Sequence, residues 1–556
     1  MILMDPRKTT GKEKKTRKTI AEELLQYESN LLQGMSQRRA ADKVGTPRGS
    51  LLRWQNRSAN IPLPQSTIDF FESLDGISFL ERLMKALQFV MNQVGSCGIR
   101  LISIVLRMSY LDYFVASSYE ALRERGMAME SAIVTFGEEE KHRLSHGMLT
   151  KNISIAEDET FHHKPCLVAM EPVSNFILLE KYGDKRDAAS WNTALDEALQ
   201  GLSVKVLQST SDEARGIVNH VEQHLGAHHS PDIFHVQQDI TRATGAAMGA
   251  KVRALQQQLD GFEKEQTHRT LVGCKSQRGR PSALSEKTDE ELQHDVQASK
   301  EKLALLQSQQ TAIKEAKCGI AASYHPYDLT TGAARQTEQV QQELLQHFDV
   351  IEKQATAVQL RQPALDKIKK AQRVCAGLVA TLSFFWVMID QLLESLSISH
   401  DVELMMRNTL IPAHYLMIAS RKAKTAERRY PIAQLAKQLL SDLNSNDTWK
   451  DIEQSEQNRL TKAAVECAQL FQRSSSCLEG RNGYLSLRHH GLHHLSTRKL
   501  GALTVIHNYF IKRQDQTTAA ERFFGKKPRD LFEYLMSSLP SAPRPALQAV
   551  ILRRAS

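Results

Sequence analysis

The chain lacks any cysteine pattern that would mark a zinc ribbon or a disulfide framework. Its seven cysteines (Cys97, Cys166, Cys274, Cys318, Cys375, Cys467 and Cys477) stand singly, with no C-x-x-C, which leaves reduced thiols as the simplest reading. Long apolar runs are missing as well. The longest, Cys375 to Ile389, is cut off by Asp390; it falls short of the roughly 18 residues a membrane span needs and reads as a buried helix. The opening MILMDPRKTTGKEKKTRK is polar and basic rather than an apolar signal region. Aromatics are sparse at 6%, so nothing suggests a membrane or amyloid-like class. These absences predict a cytoplasmic protein with no membrane partner.

What is present fits a globular chain of several units. At 556 residues it exceeds the size at which one core keeps growing. A hydrophobic content of 41% against 24% charged residues is enough to bury a core, and the formal charge of +9 suits a polyanionic partner without requiring one.

Residues 5 to 18 carry seven Lys or Arg with few apolar neighbours. Such an arm has nothing to pack; it suits a phosphate backbone or is simply solvated. Residues 36 to 57, SQRRAADKVGTPRGSLLRWQNR, predict two helices. Ser36 caps the first, which carries Ala40, Ala41 and Val44; Gly45 turns the chain; Leu51 and Trp54 lie on the second. This is helix-turn-helix spacing, with Arg48, Arg53 and Arg57 as candidate DNA contacts, although a plain helical hairpin shares the pattern. From 61 to 150 the apolar residues recur at three- and four-residue intervals, as in core helices.

Near Asn152 the texture changes to short β-type segments: ISIAEDETF, PCLVAMEPV and NFILLEKY. A helix (SWNTALDEALQGL), a strand (VKVLQST), a helix (SDEARGIVNHVEQHL) and a strand at DIFHVQ follow. This β-β-β-α-β-α-β order predicts an α/β layer with a mixed sheet. From about Thr241 to Arg473 the chain is helical again, broken by the loop-like CKSQRGRPSALSEK.

Reactive groups in open α/β sheets tend to lie just beyond the carboxyl ends of strands. Asp158 stands there in AEDETF and Asp212 in STSDEARG. If the first and fourth strands are neighbours, the two acids meet, and clustered carboxylates call for a hard cation such as Mg²⁺ or Mn²⁺. Glu157, Glu159 and Glu171 compete with Asp158 for the first position, and Glu213 with Asp212.

These segments together resemble the DDE transposases of bacterial insertion sequences, which have a ribonuclease-H-like catalytic core. The resemblance rests on DETF, the pair CLVAMEPVSNFILLEKY, the SDEARG turn, HHSPDIFHVQ, and EGRN after a long helical insertion. It spans roughly residues 36 to 57 and 150 to 525. It implies a third carboxylate on a helix in the form E-x-x-N, which Glu479 and Asn482 match. It also implies two Mg²⁺ or Mn²⁺ ions held by Asp158, Asp212 and Glu479, with water first cutting a strand at the element's end and the freed 3′-hydroxyl then attacking target DNA. The sequence departs from some relatives in placing Ser486, not a basic residue, seven positions after the glutamate; Arg481 or Arg488 is then the candidate for the phosphate.

Three histidine groups (His162 with His163; His228 and His229 with His235; HHGLHH at 489 to 494) lack acids or cysteines at matching spacing and read as structural or DNA-facing. After Glu479, basic residues interleave with Tyr484, Tyr509, Phe510, Phe523 and Phe524, a pattern that suits a groove for a frayed DNA end or an amphipathic helix pair.

The expected organisation is a basic arm and helix-turn-helix (1–60), a helical region (61–150), the first part of a ribonuclease-H-like core (151–245), a helical insertion (246–472) and a catalytic-glutamate helix with a basic tail (473–556). The expected function is metal-dependent cleavage and strand transfer of double-stranded DNA, transposon ends and target alike, by a homodimer or higher oligomer. The alternative is a non-catalytic helix-turn-helix DNA-binding protein derived from a transposase.

Overall fold

In the computed structural model the described residues are 17–59, 63–272, 287–492 and 495–542. Contacts divide the chain into two compact units, residues 1–148 with 484–556, and residues 149–483.

The first unit is helical. α1 (Arg17–Leu32), α2 (Gln37–Val44) and α3 (Arg48–Ala59) form a small bundle around buried Leu24, Tyr27, Ala40, Ala41 and Leu51. Ser36 accepts the Arg39 amide at the start of α2, and Gly45, at φ 74°, ends it by donating to the carbonyls of Ala41 and Asp42. A positive φ is cheap only for glycine, which is why the turn falls there. Further along, α4 (Tyr119–Ser145) buries Leu122, Met129, Ile133, Phe136 and Leu144 at helical spacing. Residues 1–16, most of the basic arm, lie outside the described residues.

The second unit holds a mixed five-stranded sheet in the order β3-β2-β1-β4-β5. The strands are β1 (Lys151–Phe161), β2 (Pro165–Glu171), β3 (Phe176–Tyr182), β4 (Val204–Ser211) and β5 (His228–Pro231). β1 pairs antiparallel with β2 and parallel with β4, and β4 pairs parallel with β5. The β1–β4 register shifts between Ile153 and Ser154, where Ile153 faces Val206 but Ser154 faces Gln208. α5 (Ala188–Leu199) buries Trp191, Ala194 and Leu195, each large side chain contributing roughly 1.5–3 kcal/mol by leaving water.

One element departs from expectation. DIFHVQ was expected as the fifth strand, but β5 ends at Pro231 and Ile233 opens α6 (Ile233–Val272). Ile233, Val236, Ile240 and Ala243 are all buried at three- and four-residue spacing, and Asp232 accepts the Phe234 amide at the helix entrance. A short apolar run does not by itself separate strand from helix; here the longer period decides.

The helical insertion continues through α7 (Asp289–Ser323), which opens with a capping box between Thr288 and Glu291, to α8 (Cys375–Ser395). The loop CKSQRGRPSALSEK falls almost wholly outside the described residues. Within α8, Leu378, Thr381, Leu382, Phe385 and Ile389 are buried in the large apolar core of this unit. Gly377 meets Pro231 so closely that a Cβ would stand 2.5 Å from its ring, so the insertion packs directly on β5. Among the described residues one stretch, Gln362–Ser395, is long and apolar enough to cross a membrane by length and composition alone; its periodic burial is what a core helix shows. α9 (Ser476–Leu492) carries EGRN.

Candidate active site

Side chains alternate across a strand, so the three consecutive acids of β1 cannot share a face. Glu157 is fully buried, accepts the Ser209 hydroxyl at 2.5 Å and lies 3.4 Å from His220 Nε2. Glu159 accepts Trp191 Nε1 at 3.2 Å and pairs with Arg186 at 3.3 Å. Both therefore turn to the side covered by α5. Asp158 projects the other way. Glu171 is likewise committed, capping the β2–β3 turn by accepting the amides of Val173 and Ser174, while Glu213 is exposed.

Asp158 and Asp212 come together through the sheet. Ala156 pairs with Thr210 on the parallel neighbour, and each acid lies two residues beyond that pair. Asp212 accepts the Ala214 amide at 3.1 Å, which holds its carboxylate at the turn after β4.

Glu479 arrives on α9, whose start is fixed by Asp232. This buried acid accepts the Ser475 amide at 3.1 Å and its hydroxyl at 2.5 Å, while its own amide donates to the Ser211 carbonyl. Two further bonds seat α9 on the strands. Arg481 forms a buried two-point ion pair with Glu180 on β3, at 2.7 and 2.5 Å, and Asn482 Nδ2 donates to Asp158 Oδ2 at 2.8 Å.

The electrostatics report the cluster. The Asp158 carboxyl is pushed up to about 6, first by burial, then by the negative charges of Asp212 and Glu479; the Glu159 amide and His235 act against the rise. A buried acid facing two others is costly unless a cation or a proton neutralises it. Asn482 Oδ1 is buried without a hydrogen-bond partner, and so is His235 Nε2, which lies 3.7 Å from Asp232. Among the described residues no three Asp, Glu, His or Cys side chains are drawn together tightly enough to chelate an ion as they stand. The donor chemistry still fits a hard divalent cation: three carboxylates that share a field, and an unused amide oxygen beside them.

The candidate DNA contacts divide. Arg48 and Arg53 are exposed on α3; the side chain of Arg57 lies outside the described residues. Arg481 and Arg488 do not stand open to a phosphate. Arg481 is taken by Glu180, and Arg488 is buried, donating to the carbonyls of Val94 and Gly95 and, at 2.6 Å, to the Tyr484 hydroxyl. A sequence read locally shows a free cation where a partner far along the chain has already claimed it. Three of the aromatics after Glu479 are also core residues rather than open platforms: Tyr509, Phe523 and Phe524 are buried, and Tyr509 meets Phe136 edge to face at 5.8 Å, while Tyr484 and Phe510 are half-buried. His228 bonds Thr381 at 3.1 Å and stacks on Phe384, and His229 bonds Ser211 at 2.9 Å, both structural roles. His493 and His494 lie outside the described residues.

Sequence reasoning missed Asp232 and Glu180. Asp232 was hidden inside the segment read as a strand; an acid between a proline and an apolar periodic run is the N-cap signal that would have found it. Glu180 carries no local signal, since its partner lies 301 positions away.

No curated protein matches the chain. The model of a family of unknown function, DUF6399, matches residues 406–550, a stretch that takes in Glu479 and Asn482 but neither Asp158 nor Asp212.

Proposed function

We propose that the chain is a DDE transposase with a ribonuclease-H-like core, which cuts and rejoins double-stranded DNA at the ends of a mobile element, acting in the cytoplasm as a homodimer or higher oligomer. One observation carries this reading: Asp158 and Asp212 lie at the ends of adjacent parallel strands, and the helix more than 260 positions further on that carries Glu479 is bonded to Asp158 through Asn482, so that Asp158 feels the charge of both other acids.

Asp158, Asp212 and Glu479 would hold two Mg²⁺ or Mn²⁺ ions. When bound, such a pair activates an attacking oxygen and stabilises the leaving oxygen at one phosphorus. The rest falls to the chain's own groups. Asn482 orients the Asp158 carboxylate through its amide, Asp232 and Ser475 fix where α9 begins, and the Glu180–Arg481 pair holds α9 against β3. Arg48 and Arg53, exposed on the second helix of the helix-turn-helix, would meet DNA bases or phosphates.

That bundle also supports a second reading, a DNA-binding protein without catalysis, since it needs none of the three acids. Labelled DNA bearing the element's ends, incubated with Mg²⁺ or Mn²⁺, separates the two. The wild-type protein should cut, and Asp212→Ala should cut about 100-fold less, the equivalent of about 3 kcal/mol of lost transition-state stabilisation. Equal cleavage by both proteins overturns the site; no cleavage by either favours the binding-only reading.

A further inference from the structure

On the side of the sheet covered by α5, opposite the face to which Asp158 turns, an open cleft of about 770 Å³ lies between the segment 185–189 and the segment 215–219. Lys185, Arg186 and Arg215 line it, and all three are exposed. The two segments are held in register by Gly216, where a Cβ would come within 2.5 Å of the Arg186 carbonyl oxygen; only a glycine permits this approach. Arg186 is anchored, through Glu159 and over the Phe161 ring. Lys185 and Arg215 have no acid at ion-pairing distance among the described residues. The one carboxylate in the cleft, Asp187, is turned into the start of α5, where it accepts the amide and hydroxyl of Ser190 at 2.9 and 2.7 Å.

We propose that Lys185, Arg186 and Arg215 form a clamp for the phosphate backbone of DNA at the end of the sheet where β1 and β4 carry Asp158 and Asp212. The inference rests on the proposed nuclease reading for its choice of polyanion. Its position follows from the chain: Glu159, which anchors Arg186, is the residue after Asp158, and Arg215 is three residues after Asp212, so the cleft lies at the same end of the strands as the two acids, on the other face from Asp158. Lys185 and Arg215, with Arg186 held by Glu159 between them and the one acid of the cleft capped, give a concave, positive surface. Contacts of this kind fix a strand's position without reading bases, so the clamp is indifferent to sequence. Each phosphate neutralised releases counterions, which gives the clamp a measurable signature.

The test is binding of the full chain to a labelled DNA duplex of arbitrary sequence, in chelator, across a series of salt concentrations. In Lys185→Ala/Arg215→Ala, affinity at moderate salt should fall roughly tenfold, and the slope of log affinity against log salt should shrink by about 2. Lys185→Arg/Arg215→Lys should keep the wild-type slope. Lys367→Ala/Lys370→Ala, removing two exposed lysines of the helical insertion, should keep it too. An unchanged slope in the first variant overturns the clamp, as does an equal loss in the lysine control. Chelation removes cleavage from the measurement, so a clamp that fails leaves the carboxylates untouched, and a failure of Asp212→Ala to alter cleavage leaves the clamp standing.

Discussion

Asn482 and Asp158 are 324 positions apart in the chain and 2.8 Å apart in space, joined by a hydrogen bond from the Asn482 amide to the Asp158 carboxylate. The bond ties the helix that carries Glu479 to the strand that carries Asp158. Asn482→Ala should raise the Mg²⁺ or Mn²⁺ concentration needed for half-maximal cleavage by about 10–100-fold, the usual cost of losing a group that orients a ligand. A metal titration of cleavage checks this; an unchanged midpoint would mean that the bond does not orient the acid for metal.

Asp232 carries more of the fold than of the chemistry. Asp232→Ala leaves the Phe234 and Ser475 amides and the Ser475 hydroxyl without their acceptor. The expected cost is about 1–3 kcal/mol, read as a lower urea midpoint, and cleavage should fall with it because the start of α9 is released.

Burial, with a smaller push from His229, holds the His228 imidazole down to about 4. The unfolded chain, with an ordinary value near 6.5, binds the proton first, so the stability that neutral His228 contributes is present above pH 6.5 and is lost as pH falls toward 4. His228→Gln removes this titration. Between pH 7 and pH 5 the wild-type urea midpoint should drop further than the variant's, and parallel drops would refute the assignment.

All three guanidinium nitrogens of Arg125 are buried and without hydrogen-bond partners, and burial pulls its pKa down. An unpaired buried charge is a standing cost, and an apolar chain of similar length relieves it. Arg125→Met should therefore raise the thermal midpoint by a few degrees, about 1 kcal/mol; a fall would show that the guanidinium is stabilising.

Much of the local structure could be read from the sequence because short-range rules set it. The cap at Ser36, the turn at Gly45 and the first four strands follow from residues within a few positions of each other. The choice among Glu157, Asp158 and Glu159 could not be made from the sequence, because it depends on which face of β1 α5 covers, and that face is defined by Trp191 and His220. The buried roles of Arg481 and Arg488 were hidden for a similar reason. Their partners, Glu180 and the carbonyls of Val94 and Gly95, are hundreds of positions away, and nothing in EGRN or SLRHH announces them.

The break in register between Ile153 and Ser154 has a consequence for the acids downstream. It inserts Leu207 as one extra residue on β4, advancing that strand by a single step of about 3.3 Å relative to β1. Were the strands paired without the bulge, with Leu207 opposite Ser154, Thr210 would shift off Ala156, and the residue level with Asp158 would be Ser211 instead of Asp212. The bulge thus acts as a phase setter: one inserted leucine decides whether an acid or a serine stands level with the first carboxylate.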